Sequence, residues 1–157
     1  MKVVNLFPLS IIQEKILLNK NIKNEMIKEI ETMVSKSENK DYKNKNESWT
    51  GDTQGFEYLN KNKKFKELFI HIKKTAIKYL DHLKINENVI DLYITRSWAT
   101  LSNGKENILP HNHLQSHISF AYYLKKSSED ANIVFIEEHF QNEIIPGVFR
   151  SPTVRAV

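Results

Sequence analysis

The residues best suited to chemistry are three histidines in the stretch ILPHNHLQSHISFAYYL. His111, His113 and His117 lie within seven residues and make up half of the six histidines in the chain. Pro110 biases the preceding residue away from helix, and alternate residues of an extended segment point to the same face. His111 and His113 should therefore project together. Two neutral imidazoles on one face form a half-site for Fe(II), Zn(II), Mn(II) or Cu(II).

His117 lies too far along such a strand to share a metal ion with His111. Six steps at ~3.3 Å per residue span about 20 Å, so we expect His117 beside the ligands or in the core. The competing interpretation makes His111 and His113 ordinary surface residues beside a turn. Their position favours the metal interpretation, because they follow the loop SNGKENILP and precede an apolar segment, where binding sites are often built.

Helical patterns dominate the first half of the chain. The stretch SIIQEKILLNKNIKNEMIKEIETMVSK has mostly helical spacing, with a break predicted around Asn19–Asn21. The clearest helix is predicted over residues 63–83, with His71 and His82 as surface residues on its flanks. Its apolar stripe consists of Phe65, Leu68, Phe69, Ile72, Ala76, Tyr79, Leu80 and Leu83.

Strand patterns dominate the second half. VIDLYITRSWATLS, HISFAYYL and ANIVFIEE alternate and are rich in β-branched and aromatic residues. Helices followed by strands predict an α+β fold, with the helix over 63–83 covering one face of a sheet that begins near residue 88.

Composition excludes several classes of site and partner. The chain has no cysteine, which excludes disulfides, thiolate metal sites and cysteine nucleophiles. No stretch approaches the ~20 apolar residues of a membrane span, so we expect no membrane partner and a cytoplasmic location. The net charge of +4 comes from scattered lysines, and the only arginines are Arg96, Arg150 and Arg155. This pattern argues against a nucleic-acid partner.

Four stretches together resemble a known family. NLFP, SWTGDTQG, SWATLSNGKENILPHNHLQSHISFAYYLK and ANIVFIEE follow one another over residues 3–138. They resemble 2-oxoglutarate–Fe(II) oxygenases related to the prolyl hydroxylases and common in marine bacteria and phages. The chain departs from that family at Leu114 and Phe120, where Pro and Gly are usual. The matching positions are Trp98, Asn103, Gly104, His111, His113, Ser119, Tyr122, Tyr123 and Leu124.

The resemblance implies a single domain over residues 1–157 with a double-stranded β-helix, or jelly roll. Residues 1–85 would be mainly helical support, and residues 86–157 would form the first strands of an incomplete barrel. His111 matches the first metal ligand, and His113 stands where the family has a carboxylate. An imidazole there makes the site more positive by one charge than a 2-His-1-carboxylate triad. The alternative is that His113 is not a ligand and that a halide or water completes the shell.

The resemblance also implies a third ligand and an anchor for the co-substrate. Family members carry a distal histidine and then a basic residue beyond the point where RSPTVRAV ends, so the chain resembles a C-terminally truncated member. Within the chain, His139 is the remaining candidate for the third metal ligand. Arg150 or Arg155 could replace the basic residue. Asn103, with Tyr122 or Tyr123, is expected to contact 2-oxoglutarate.

The activity implied is hydroxylation of an unidentified protein side chain or small molecule, with Fe(II) and 2-oxoglutarate, and ascorbate as reductant in vitro. Low turnover is expected of the truncated chain. One alternative is a cupin-type metal protein that uses His117 in place of the usual Glu and needs no 2-oxoglutarate. Another is a non-catalytic phage accessory or binding domain. A phage-encoded chain would act in the host cytoplasm, and an open barrel edge would favour a homodimer.

Overall fold

The computed structural model describes residues 10–37, 53, 55–102, 108, 110–113, 115–128, 132–137 and 153–156. These contain two α-helices, α1 (Lys20–Lys36) and α2 (Lys66–His82), and two strands, β1 (Val134–Glu137) and β2 (Thr153–Ala156). Short 3-10 turns span Leu59–Lys61, Lys63–Phe65 and Glu87–Val89. Neither α-helix in the described part of the chain is long and apolar enough to cross a membrane.

Helix α1 begins where the sequence indicated a break. Asn19 is its N-cap, and the Asn19 side-chain oxygen accepts a hydrogen bond of 2.8 Å from the backbone N–H of Asn21. An asparagine cap satisfies an N–H that has no partner within the helix, and its own backbone is not helical. The prediction that residues 10–18 are also helical is wrong, because the chain there is irregular.

The irregular segment 10–19 is held on helix α2 by side chains. The Tyr79 hydroxyl donates a hydrogen bond of 2.7 Å to the carbonyl oxygen of Ser10. The carboxylate of Glu14 accepts a hydrogen bond of 2.6 Å from the Thr75 hydroxyl and forms an ion pair with Lys78. These contacts, led by the one from Lys78, lower the pKa of Glu14. Tertiary contacts therefore fix this segment without a helix.

A second carboxylate joins helix α1 to the turn before α2. Glu29 accepts a hydrogen bond of 3.0 Å from the Asn62 side-chain amide and forms an ion pair with Lys64. The hydrogen bond from Lys64 is the main cause of a lowered pKa at Glu29. Asn62 also caps the turn, accepting from the Lys64 N–H at 3.0 Å. One polar cluster thus sets the approach of the two helices.

Helix α2 confirms the strongest prediction from the sequence. It spans Lys66–His82, directly after the 3-10 turn Lys63–Phe65, and it buries Leu68, Ile72 and Leu80. Leu83, placed in the apolar stripe from its spacing, is 41% exposed because the helix ends before it. Of the two flanking histidines, His82 is exposed and His71 is half-buried.

The end of helix α2 has an unusual residue in its cap. Lys84 adopts φ = 60°. Its N–H donates to the Asp81 carbonyl at 2.9 Å, and the Ile85 N–H donates to the Leu80 carbonyl at 2.9 Å. This is the Schellman arrangement, in which the left-handed position is usually glycine.

Replacing Lys84 by Gly is expected to stabilise the protein by about 0.5–1 kcal/mol, because glycine adopts positive φ without the clash of a Cβ atom. The effect is measured as a higher midpoint in urea unfolding followed by circular dichroism. Lys73→Gly is the matched control, since Lys73 is exposed in the interior of the same helix. That control should lose about 1 kcal/mol. Destabilisation by both substitutions would contradict the assignment of the cap.

The core lies between the two helices and the segment that precedes α2. Phe65 and Met26 are each only 1% exposed. The buried cluster consists of Leu18, Met26, Met33, Leu59, Phe65, Leu68 and Ile72. From the second half of the chain, Ala99, Tyr122 and Leu124 pack against this cluster. The helical half and the later segments therefore share one core.

Strand structure in the described residues is confined to one antiparallel pair. Strand β1 pairs with β2 from Val134↔Ala156 to Glu137↔Thr153, which confirms the strand predicted in ANIVFIEE. The structure assigns no strand within VIDLYITRSWATLS or HISFAYYL. In the first of these segments, Ser97 forms an isolated parallel bridge with Tyr58. The jelly roll stays a prediction, since the described strands are too few to test it.

Candidate metal site

Two buried polar residues fix the backbone that leads to the site. Ser97 forms a parallel bridge with Tyr58: its N–H donates to the Glu57 carbonyl at 2.8 Å, and its carbonyl accepts from the Leu59 N–H at 3.1 Å. The Ser97 hydroxyl bonds to the Asn60 side-chain oxygen at 2.9 Å. Ser97 is only 6% exposed, so these hydrogen bonds join residues 57–60 to Ser97 inside the protein.

Thr53 makes the corresponding attachment at Ala99, two residues after Ser97. Its N–H donates to the Ala99 carbonyl at 2.9 Å, and its hydroxyl oxygen accepts from the Ala99 N–H at 3.1 Å. Thr53 is completely buried, at 0% exposure. Gly55, at φ = 86°, lies in the turn closed by the bond from Phe56 N–H to Thr53 carbonyl. A positive φ at this third turn position is the feature that calls for glycine.

Trp98 lies between these two attachments and is half-buried. The guanidinium carbon of Arg96 lies 5.5 Å from the centre of the Trp98 ring, within the range of a cation–π contact. Arg96 is itself held by the Glu57 carboxylate at 2.7 Å. The indole therefore extends from a backbone whose two neighbouring residues, Ser97 and Ala99, are both hydrogen-bonded to an earlier part of the chain.

His111 and His113 lie side by side next to Trp98. Their ring centroids are 5.1 Å apart with the planes at 86°, and the His113 ring is 5.5 Å from that of Trp98. Both histidines are exposed to solvent. The two rings thus lie together, as the i, i+2 spacing predicted.

The spacing of the two rings agrees with shared binding of one metal ion. With metal–nitrogen distances of about 2.0–2.1 Å, each ring centroid lies about 3.2 Å from the ion, so ligand angles of about 90–110° place the centroids about 4.5–5.2 Å apart. The observed 5.1 Å falls within this range. An edge-to-face contact between two rings accounts for the same distance without a metal, so the distance allows chelation and does not require it.

A third ligand is not found among the described residues, where no group of three His, Asp, Glu or Cys side chains could hold a metal ion. His139 and Asn103 lie outside the described residues, as does Arg150, and Arg155 lies in β2. His117 is exposed, so the expectation that it lies in the core is wrong.

The two tyrosines predicted to contact the co-substrate point in different directions. Tyr122 is half-buried against the helical core, and burial raises the pKa of its hydroxyl. Tyr123 is 49% exposed, with the Lys126 ammonium 6.0 Å from its ring centre. The burial of Tyr122 and the exposure of Tyr123 agree with the alternation predicted for an extended segment. Their roles in binding 2-oxoglutarate stay predictions.

Sequence reasoning missed the connection between the histidine pair and the rest of the fold. The contacts of Thr53 with Ala99 and of Asn60 with Ser97 join residues 46 and 37 positions apart. No local spacing pattern signals such contacts. The glycine in SWTGDTQG that adopts positive φ was the one available indication of a fixed turn.

Comparison with known proteins adds no further assignment: no protein-family model, curated protein or solved structure matches this chain.

Proposed function

We propose that this protein is an Fe(II)- and 2-oxoglutarate-dependent oxygenase in which His111 and His113 hold the metal ion. The observation that carries the proposal is the 5.1 Å separation of the two imidazole rings. The resemblance of the surrounding sequence to 2-oxoglutarate oxygenases supports the choice of metal and co-substrate. The prime substrate is a protein side chain or a small molecule.

The two imidazoles contribute a neutral pair of nitrogen ligands to one side of the ion. Both side chains are exposed, so a metal ion on them would be within reach of a chelating co-substrate and of a further protein ligand. Catalytic metal sites characteristically keep an open position. With Fe(II) and 2-oxoglutarate bound, the chemistry supplied would be oxidation by O2, in which 2-oxoglutarate loses CO2 to give succinate and a substrate C–H bond becomes C–OH. The protein would supply ligand geometry and substrate position.

The charge of the site favours an anionic co-substrate. Two neutral imidazoles leave the charge of the ion uncompensated, where a carboxylate ligand would cancel part of it. Among the described residues, the cationic side chain that contacts Trp98 is Arg96, and it is paired with the Glu57 carboxylate at 2.7 Å. The positive charge is thus concentrated at the metal, where the dicarboxylate 2-oxoglutarate is expected to bind.

The first test is metal binding by His111→Ala and His113→Ala, measured by calorimetry with Co(II) as an air-stable substitute for Fe(II). Each substitution is expected to weaken binding at least about tenfold, because even changes to groups that only support a ligand cost about 10–100-fold. His82→Ala is the control, since His82 is an exposed histidine at the end of helix α2. Equal binding by all variants would exclude the pair as ligands.

The second measurement separates the proposed oxygenase from the other classes of protein. Succinate formation is followed with Fe(II), 2-oxoglutarate and ascorbate. Turnover is expected to be low, because a metal held by two imidazoles exchanges readily, and to disappear in His111→Ala. The cupin-type alternative would be favoured if His117→Ala weakens metal binding and 2-oxoglutarate does not change it. Absence of metal binding would favour a non-catalytic binding domain.

A further inference from the structure

We propose that Trp98 is a positioning residue for the metal site: its indole sets the orientation of the His113 ring, and Arg96 and Glu57 hold the indole in place. This inference rests on the proposed function, because it concerns the same two histidines. It adds a residue that does not itself touch the metal and acts through His113.

The first support is the fixed backbone on both sides of Trp98. Ser97 is buried, and its N–H, carbonyl and hydroxyl are all hydrogen-bonded to residues 57–60. Ala99 exchanges two bonds with Thr53, at 2.9 and 3.1 Å. Because both neighbours are tied to a segment that packs in the core, the Cα position of Trp98 is well defined.

The second support is the contrast with the histidine segment. The backbone of His113 accepts a local hydrogen bond of 3.0 Å from the Ser116 N–H, and its side chain is exposed. A local turn does not fix where the ring lies relative to the core. Within the described residues, the 5.5 Å ring contact with Trp98 connects the His113 side chain to a part of the fold with long-range hydrogen bonds.

The third support is a row of side-chain contacts that runs from Glu57 through Trp98 to His113. The Glu57 carboxylate holds the Arg96 guanidinium at 2.7 Å, the guanidinium lies 5.5 Å from the Trp98 ring, and that ring lies 5.5 Å from His113. The arginine restrains the indole by a cation–π contact. Its charge is balanced by Glu57, so it can do this without repelling a nearby metal ion.

Groups that orient a metal ligand are expected to matter for affinity, because the ligand otherwise loses freedom when the metal binds. Trp98→Leu keeps an apolar side chain at this position and removes the ring. We expect it to weaken Co(II) binding about tenfold, with Trp98→Phe intermediate. Tyr93→Leu is the matched control, since Tyr93 is 80% exposed on the same segment.

A measurement without metal tests the contact itself. The imidazole C–H protons of His113 are observed by NMR in the wild-type protein and in the two Leu variants. The indole ring current should shift these protons, and Trp98→Leu should move them toward the positions of a free histidine, whereas Tyr93→Leu should leave them unchanged. A purely structural role of Trp98 in the core would lower the midpoint of unfolding without this change at His113.

The outcomes separate the two proposals. Unchanged His113 shifts in Trp98→Leu would overturn the contact. A changed shift with unchanged Co(II) affinity, while His113→Ala weakens binding, would overturn positioning and leave the proposed function standing. Wild-type affinity in both His111→Ala and His113→Ala would overturn the proposed function and this inference with it. If Trp98→Leu both removes the ring-current shift at His113 and weakens Co(II) binding, the result supports both proposals.

Discussion

Phe65→Ala is expected to lower the free energy of unfolding by about 3–5 kcal/mol, the cost typical of removing a fully buried aromatic side chain. Phe65 is 1% exposed and lies in the turn that leads into helix α2. It belongs to the cluster in which residues of both helices meet. The cavity left by alanine would therefore weaken the contact between α1 and α2. Urea unfolding followed by circular dichroism measures the change as a shift of the midpoint.

Two further variants make this expectation specific. Phe120→Ala removes the same ring from a position that is 47% exposed, where it meets Phe69 at 6.2 Å, so its cost should be much smaller. Phe65→Leu retains part of the buried volume, so its loss of unfolding free energy should fall between those of Phe65→Ala and Phe120→Ala. Similar losses at Phe65 and Phe120 would contradict the location of the core.

The sequence predicted α2 well because the burial of its side chains follows the helical period. It failed for residues 10–18, although apolar residues such as Ile12 and Ile16 have helical spacing there. The Asn19 cap starts the helix later, and the preceding segment is fixed by the contacts of Ser10 and Glu14 with helix α2. Those partners lie more than 60 positions away, so a local pattern cannot reveal them.

In the second half of the chain the pattern of burial was predicted better than the hydrogen bonding. Tyr122 and Leu124 are half-buried while Tyr123 between them is exposed, which agrees with the predicted alternation. The structure nevertheless assigns no strand there. Side-chain alternation reports which face meets the core, and a ladder also needs a partner backbone, which the sequence of one segment does not specify.

The histidine pair was predictable because two residues at i and i+2 meet without help from the rest of the fold. Its connection to Trp98 was not, since it depends on how segment 53–60 and segment 96–99 pair. The side-chain types involved, small hydroxyl residues and one glycine, are common in turns. The hydroxyl residues gained significance only from their burial, and the glycine only from its positive φ.

Ser97→Ala is expected to destabilise the protein by about 1–3 kcal/mol, because it removes two hydrogen bonds at a buried side chain and leaves half-buried groups of Asn60 without that partner. The Ser97 hydroxyl accepts from the Asn60 N–H at 3.1 Å and donates to the Asn60 side-chain oxygen at 2.9 Å. Alanine removes both bonds and keeps the volume nearly unchanged. Ser102→Ala is the control, since Ser102 is exposed on the same segment. It should change stability by less than about 0.5 kcal/mol.

The same substitution should also affect the site, because Ser97 directly precedes Trp98. Loss of the Asn60 contact would loosen the pairing of the two segments, and the amide of Leu59, which donates to the Ser97 carbonyl at 3.1 Å, should exchange its hydrogen faster. Hydrogen exchange followed by NMR measures this directly. If the Leu59 amide and the His113 ring protons both keep their wild-type behaviour in Ser97→Ala, the pairing is held by other contacts. In that case Thr53, which is bonded twice to Ala99, would be the residue that fixes Trp98, and Thr53→Val would be expected to produce the loss of order that Ser97→Ala did not.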